Sequence, residues 1–198
     1  MNNRRIIAAC ALALAVSALA VAAVDQHWLE LWNAAQALRP TTLMAHSRIA
    51  APEEPGTAMI IKGQIVRPDG ITPEAGAIVF AYHTDSTGVY FAPGTDRRNY
   101  RLKGWAKTDA GGRFEFATIR PAPYPNHRTP AHVHFTIETA NNGRQYGGLL
   151  FADDPLVGES ERAQSAAAGR FGEVLDVEHT GETQVVRLNI RLKPKGDF

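Results

Sequence analysis

The spacing of apolar positions along this 198-residue chain changes near residue 57. Over residues 25–38 the apolar side chains recur every three or four positions, and Pro40 ends the pattern. This spacing predicts a short amphipathic helix, whose two tryptophans could face either a membrane interface or the folded domain. After residue 56, most apolar runs are short, rich in β-branched residues and bounded by turn residues, which is typical of strands.

Six strands are predicted on this basis, over residues 59–66, 77–83, 104–107, 114–117, 131–138 and 183–192. The third and fourth strands flank the turn sequence TDAGG at 108–112, so we expect them to form a hairpin. Many short strands without alternating helices favour an all-β sandwich or barrel, and we expect an antiparallel β-sandwich. A second helix is predicted only over residues 160–170.

The first 24 residues form a separate segment. Arg4 and Arg5 precede a small or apolar run over residues 6–24, which is the pattern of an export signal. The run is long enough to span a bilayer, yet residues 18–20 and 20–22 each resemble a signal-peptidase site. Cleavage and retention as a membrane anchor therefore both stay open. Either outcome places the remaining chain outside the cytoplasm, as a periplasmic, secreted or anchored protein.

The chain is accordingly divided into three parts. Residues 1–24 are the signal peptide or anchor, residues 25–56 are the short helix and a linker or wrapping arm, and residues 57–198 are the β-sandwich. A length of 198 residues suits one domain with a targeting segment. The sequence leaves the oligomeric state open, including a homo-oligomer.

Composition excludes several classes of function. The net charge of +1 gives no basic surface for nucleic acid, so partners are expected to be small and neutral or anionic. Cys10 is the only cysteine, which excludes a disulfide framework and any metal site built on several cysteines of one chain. A metal ion would have to use histidine, tyrosine or carboxylate ligands.

Metal-ligand side chains concentrate in residues 118–135, TIRPAPYPNHRTPAHVHF. His132 and His134 lie two residues apart on a predicted strand, so both imidazoles point to one face and can chelate an ion. Three prolines between residues 121 and 125 restrict the backbone around Tyr124 and remove donors, which favours a rigid loop. Alone, however, such a histidine pair is more often a polar strand edge than a metal site.

Four segments in this order resemble the intradiol ring-cleavage dioxygenases. They are GVY at 88–90, GW at 104–105 followed by TDAGGRFEF at 108–116, TIRPAPYP at 118–125, and PAHVHF at 130–135. Order and spacing match over residues 57–156, where FADDPL at 151–156 resembles a further family segment. The likeness is greatest to the β-subunit type of protocatechuate 3,4-dioxygenase and extends to the C-terminal domain of catechol dioxygenases.

The resemblance implies a non-haem Fe(III) centre with Tyr90, Tyr124, His132 and His134 as ligands. Two phenolates are hard anionic ligands, which favour ferric ion over zinc. By similarity, Tyr124 is also catalytic, because it leaves the metal when an aromatic diol binds and then accepts a diol proton. The implied reaction uses O2 to open the ring of a small catechol-type diol between its hydroxylated carbons.

Two positions depart from the family pattern. The family has an arginine immediately before Pro-Ala-His, where this chain has Thr129, and Arg128 one place earlier is the candidate for stabilising the electron-rich substrate. A glutamine that assists this step in the family falls near Gly148, whereas Gln145 is displaced from it. The alternative function is therefore a β-sandwich module that binds iron or a ligand without turnover.

The other candidate ligands are expected to be structural. Tyr82 and His83 are adjacent on a predicted strand, so one should lie in the core and the other at the surface. Tyr100 is the best substitute for Tyr90, but its setting in RRNYR predicts a basic surface turn. His127 is expected to be a solvated loop residue.

Overall fold

The computed structural model describes residues 25–91, 94, 97 and 99–195. This part of the chain forms helices α1 (Gln26–Gln36) and α2 (Glu159–Ala168), and a single 3-10 turn (Gly169–Phe171) follows α2. Its strands are β1 (His46–Arg48), β2 (Ala58–Val66), β3 (Ile78–His83), β4 (Leu102–Lys107), β5 (Arg113–Ile119), β6 (His132–Thr139), β7 (Gly143–Phe151), β8 (Val174–Leu175), β9 (Glu178–Thr180) and β10 (Thr183–Arg191). Both predicted helices are present, close to their expected bounds.

The strands form two packed five-stranded sheets, as the β-sandwich prediction required. The first sheet has the order β1-β5-β2-β10-β9 and the second has the order β4-β3-β6-β7-β8. Five of the eight neighbouring pairs of described strands are antiparallel, in line with the prediction, whereas three are parallel: β1 with β5, β2 with β10, and β7 with β8. Between the members of each parallel pair the chain passes through the other sheet or through α2, and such crossovers permit parallel pairing.

The predicted hairpin over residues 104–117 is instead a corner between the sheets. Strand β4 pairs with β3 in the second sheet, whereas β5 pairs with β2 in the first. The turn itself is tight, since the Gly112 amide donates to the Asp109 carbonyl oxygen at 3.0 Å. The turn residues therefore predicted the position of the chain reversal correctly, but they did not predict which strands pair.

Two apolar clusters hold the sandwich together. The main core lies between the sheets and includes Ile61, Phe116 and Phe135. A second cluster forms where α1 covers the outer face of the second sheet, and its buried members are Leu31, Trp32, Ala35, Phe80, Tyr82, Tyr100 and Trp105. The α1 helix therefore packs on the folded domain, which was one of the two alternatives left by its sequence.

Several elements carried no clear sequence signal. The arm over residues 39–56 contributes β1, which extends the first sheet beside β5. Strand β7 contains three glycines, which weaken a strand pattern. No described helix is long and apolar enough to cross a membrane. The predicted signal or anchor, residues 1–24, lies outside the described residues.

Candidate metal centre

The two histidines of β6 project from the outer face of the second sheet, beside the cluster under α1. Their Nε2 atoms are 3.0 Å apart, and both side chains are half-buried. The Nδ1 atom of His132 lies 2.7 Å from the Pro130 carbonyl oxygen, which can only accept, so Nδ1 is the donor. In the neutral ring this bond leaves the Nε2 lone pair of His132 directed at the neighbouring side chains.

Two tyrosine hydroxyls complete a four-atom cluster with these nitrogens. The hydroxyl of Tyr90 lies 2.9 Å from that of Tyr124, 3.2 Å from His132 Nε2 and 3.1 Å from His134 Nε2. The Tyr124 hydroxyl lies 3.3 Å from His132 Nε2. Ligands bound at about 2.0 Å to one tetrahedral ion are about 3.3 Å from one another. The four-atom cluster therefore has the dimensions of a site for a single metal ion.

The tyrosines are indispensable to such a site. Among the described residues, no group of three or more histidine, cysteine or carboxylate side chains could hold an ion. All four residues predicted as ligands are brought together, and Tyr100 is not a member of the four-atom cluster.

The loops that carry the two tyrosines approach closely at a glycine. Gly88, two residues before Tyr90, has a φ of +83°, which is left-handed and favours glycine. A Cβ atom at this position would lie 2.1 Å from the carbonyl oxygen of Pro123, the neighbour of Tyr124. Asp85 shapes the same turn, because its Oδ1 accepts from the amides of Thr87 and Val89 at 2.8 and 3.2 Å.

Burial sets the protonation of Tyr90 and His134 when no cation is bound. It raises the pKa of Tyr90 far above the ordinary value, and the hydrogen bond with Tyr124 adds to the effect. Burial, together with the neighbouring His132, lowers the pKa of His134 to about 3. A bound cation would act in the opposite direction on Tyr90, because positive charge favours the phenolate.

Aromatic rings that the sequence did not assign to the site surround these ligands. Tyr82 stacks on His134, with ring centroids 4.8 Å apart, and on Tyr100 at 4.0 Å. The surface prediction for Tyr100 is wrong, because only 4% of it is exposed. In the sequence, only the apolar face of the predicted N-terminal helix indicated that a helix would cover these aromatic rings.

Tyr82 and His83 point to opposite sheet faces as expected, but both are buried. One of the two was predicted to lie at the surface, and this is wrong because α1 covers Tyr82 and the core encloses His83. The His83 ring contacts the Thr84 carbonyl oxygen at 2.6 Å and the Thr118 hydroxyl at 2.7 Å, which makes it a core histidine.

The two departures from the family pattern have different structural settings. Arg128 is exposed in a turn beside His127, which is also exposed, as predicted, and has a φ of +52°. Gln145 is buried and holds the Lys193 backbone at the other end of the sheet. Gly148, by contrast, pairs directly with His134. No glutamine side chain therefore reaches the centre from position 148.

A cavity of about 550 Å³ opens beside the two tyrosines. Its described lining residues are Gly88, Val89, Tyr90, Phe91, Gly94, Arg97 and Tyr124. A second cavity of about 480 Å³, between β7 and β10, is lined by no member of the four-atom cluster. The first cavity gives a small ligand access to the cluster, because Tyr90 and Tyr124 line it.

Comparison with known proteins identifies the family to which the chain belongs. The sequence model of the family described as Dioxygenase matches residues 32–194. Catechol 1,2-dioxygenase 1 of Acinetobacter lwoffii is 32% identical over 124 residues, which are 54% of this chain and 40% of that protein. The chain belongs to the intradiol ring-cleavage dioxygenase family. The resemblance inferred from the sequence motifs is confirmed.

Further members of this dioxygenase family match over more of the chain. The protocatechuate 3,4-dioxygenase beta chain of Burkholderia cepacia is 27% identical over 157 residues, covering 70% of this chain and 65% of that one. The chain therefore spans less than two thirds of the length of either curated relative.

Solved structures of dioxygenases share the fold. Catechol 1,2-dioxygenase from Acinetobacter sp. ADP1 has a TM-score of 0.60 at 23% identity, covering 76% of this chain and 57% of that one. The dioxygenase domain of a carbohydrate-binding fusion protein from Streptomyces sp. SirexAA-E has a TM-score of 0.59 at 18% identity. It covers 78% of this chain and 91% of that domain.

Proposed function

We propose that this protein is a non-haem ferric dioxygenase that uses O2 to cleave a catechol-type aromatic diol between its hydroxylated carbons. The observation that carries the proposal is the four-atom cluster of two tyrosine hydroxyls and two histidine nitrogens beside an open cavity. The relatives named as catechol and protocatechuate dioxygenases support the reaction and substrate class. The physiological role is the catabolism of a small aromatic compound.

The donor set of the cluster fits ferric ion. Two phenolates and two neutral imidazoles combine hard anionic oxygen with nitrogen, and the described residues include no cysteine whose thiolate would favour a softer metal. Tyr90, Tyr124, His132 and His134 would hold the ion. When bound, Fe(III) would supply a Lewis acid that accepts both diol oxygens and activates the ring toward O2.

The two tyrosines have different surroundings, which suits two different roles. The Tyr90 ring packs against the rings of Tyr82 and Tyr100, with centroids 5.8 and 5.6 Å away. The Tyr124 ring lies on a proline-rich loop and contacts Tyr90 and His132. Tyr90 is therefore the fixed ligand. Tyr124 is the one that can turn away, and its phenolate takes a proton from the incoming diol.

The test combines colour, oxygen uptake and product analysis on the ferric protein. Tyrosinate bound to Fe(III) absorbs visible light, so Tyr124→Phe and His134→Ala should each lose most of the visible absorption. Tyr100→Phe is the matched control and should keep it. Oxygen uptake with catechol, together with a ring-opened dicarboxylic acid detected by mass spectrometry, would support the enzyme. Unchanged colour in both ligand variants would contradict the site assignment.

A second candidate function is an iron-containing or ligand-binding module without turnover. It is favoured by the exposed position of Arg128 and by the distance of Gln145 from the cluster. The two functions give different results in the same assay. A coloured ferric protein that consumes no O2 with any catechol or hydroxyquinol would identify the binding module.

We also propose that the domain is exported, either with residues 1–24 removed or with residues 6–24 retained as an anchor. The support is the charged start and apolar run described above. Cell fractionation with mass determination of the N-terminus tests this. Full-length protein in the cytoplasmic fraction would end the proposal.

A further inference from the structure

The two histidines of the four-atom cluster are oriented in different ways. His132 is fixed by the bond between its Nδ1 and the Pro130 carbonyl oxygen, at 2.7 Å. For His134 the described contacts within hydrogen-bonding distance involve only Nε2, and no described residue accepts from its Nδ1. A histidine that ligates a metal almost always donates its second nitrogen to an acceptor. Among the described residues, the ring of His134 is therefore oriented by contacts other than a hydrogen bond from Nδ1.

Tyr82 is placed to provide it. Tyr82 of β3 lies directly opposite His134 of β6 in the strand register. The two rings stack with centroids 4.8 Å apart and planes inclined by 20°. Because only 3% of Tyr82 is exposed and its other neighbours include the stacked ring of Tyr100, its ring has little room to move. The stack therefore restricts rotation of the imidazole about its long axis.

Tyr82 is in turn held by the N-terminal helix. The Nε1 of Trp28, on α1, donates to the Tyr82 hydroxyl at 2.9 Å. The helix itself is anchored to β6, because the Nε1 of Trp32 donates to the Thr136 hydroxyl at 3.0 Å. Asp25 caps the start of the same helix through the amides of His27 and Trp28. A continuous chain of contacts thus joins α1 to His134.

We propose that Tyr82 is a positioning residue for the metal ligand His134, and that Trp28 holds Tyr82 in place, so that α1 is part of the support of the metal centre. The proposal rests on the proposed function only in taking His134 as a ligand. Stacking takes the place of the hydrogen bond that His132 donates from Nδ1 and that His134 does not make to any described residue. Loss of the Tyr82 ring should therefore weaken metal binding more than loss of its hydroxyl.

Metal affinity measured by competition with a chelator tests the chain of contacts in the full-length protein. Tyr82→Leu should weaken Fe(III) binding by about 10- to 100-fold, the usual effect of removing a group that orients a ligand. Tyr82→Phe and Trp28→Phe should each weaken it by only about threefold. The double variant Tyr82→Phe with Trp28→Phe should match Tyr82→Phe alone, since the hydroxyl to which Trp28 donates is already absent there.

Trp105→Phe is the matched control for general loss of stability. Trp105 belongs to the same cluster, and its Nε1 donates to Gln36 of α1 at 3.2 Å. Its loss should lower the melting temperature as Trp28→Phe does, but leave metal affinity and the ferric electron paramagnetic resonance spectrum unchanged. Tyr82→Leu and Trp28→Phe should both alter that spectrum, which reports ligand geometry directly.

The outcomes separate this inference from the proposed function. Unchanged affinity and spectrum in Tyr82→Leu would overturn the positioning role even if the protein cleaves diols. Equal losses in Trp28→Phe and Trp105→Phe would also overturn it, because they would indicate a stability effect alone. If the variants follow the expected order while no diol is cleaved, the proposed function fails and the positioning role stands. Failure of the wild-type protein to bind Fe(III) would overturn both.

Discussion

Gly88 lies directly against the carbonyl oxygen of Pro123, and this contact brings the two tyrosine loops together. Its φ of +83° disfavours any side chain, and an added Cβ would lie only 2.1 Å from that oxygen. We therefore expect Gly88→Ala to separate Tyr90 from Tyr124 and to abolish most visible absorption of the ferric protein. Absorption titration with Fe(III) measures this.

Gly181→Ala is the control for the strain of a left-handed residue. Gly181 has a φ of +60°, but an added Cβ would meet nothing within 4 Å. Gly181→Ala should lose about 1–2 kcal/mol of unfolding free energy from backbone strain, and Gly88→Ala should lose more because of the added overlap with Pro123. Only Gly88→Ala should lose metal binding. Normal iron colour in Gly88→Ala would show that the loops do not need this contact.

Arg97 contributes the one formal charge among the described residues that line the cavity. Arg101, which is not among those lining residues, is already paired with Glu54 and Asp85, at 2.7 and 3.0 Å. We expect Arg97→Met to raise the KM for a catechol carrying a carboxylate by about tenfold, the value of one charge-assisted hydrogen bond. The KM for the corresponding neutral amide should change by less than about twofold. Steady-state oxygen uptake measures both constants.

Arg187→Met is the matched control for removing an arginine. Arg187 lies on β10 and is exposed, where it pairs with Glu178 at 3.1 Å. It should leave the KM values for both diols unchanged. An equal rise for the charged and neutral diols in Arg97→Met would contradict an electrostatic role for Arg97.

Exchanging Arg128 and Thr129 tests whether the position of the arginine, which differs from the family pattern, limits turnover. Arg128 is exposed, whereas Thr129 is half-buried next to the ligand loop. Exchanging them, as Arg128→Thr with Thr129→Arg, should bring the guanidinium nearer the substrate and raise kcat by about tenfold or more, within the range known for such groups. Steady-state kinetics with catechol checks this. A fall in kcat would show that Arg128 already reaches the substrate.

His83 makes the stability of the domain depend on pH. Burial lowers its pKa to about 4 from an ordinary value near 6.5. The unfolded chain therefore binds the proton more readily than the folded protein. The contribution of neutral His83 to the free energy of unfolding is complete above pH 6.5 and is lost as the pH falls toward 4. We expect the metal-free protein to lose about 2 kcal/mol of unfolding free energy from this residue between pH 7 and pH 5.

Urea unfolding at the two pH values measures the effect. In His83→Gln the loss between pH 7 and pH 5 should be smaller by that amount, whereas His127→Gln, which removes an exposed histidine, should behave as the wild type. Identical pH dependence in His83→Gln and the wild type would mean that His83 can be protonated inside the folded protein.

The sequence by itself determined the local part of the site. Residues two apart on a strand must share a face, so His132 and His134 could be paired from spacing alone. Helical spacing with a proline stop located α1, and turn residues located most strand ends. The order and spacing of the motifs were sufficient to predict the family and to select Tyr90 and Tyr124 as ligands, because both can be read from the sequence without knowledge of the fold.

Tertiary structure decided which residues meet. Strand pairing is a long-range choice, so the turn at 109–112 could not reveal that β4 and β5 belong to different sheets. Burial of a sheet face depends on what covers it, and Tyr82 and Tyr100 are interior residues of a cluster that α1 completes. The contact between Trp28 and Tyr82 joins residues 54 positions apart, and no local pattern in the chain specifies such a distance.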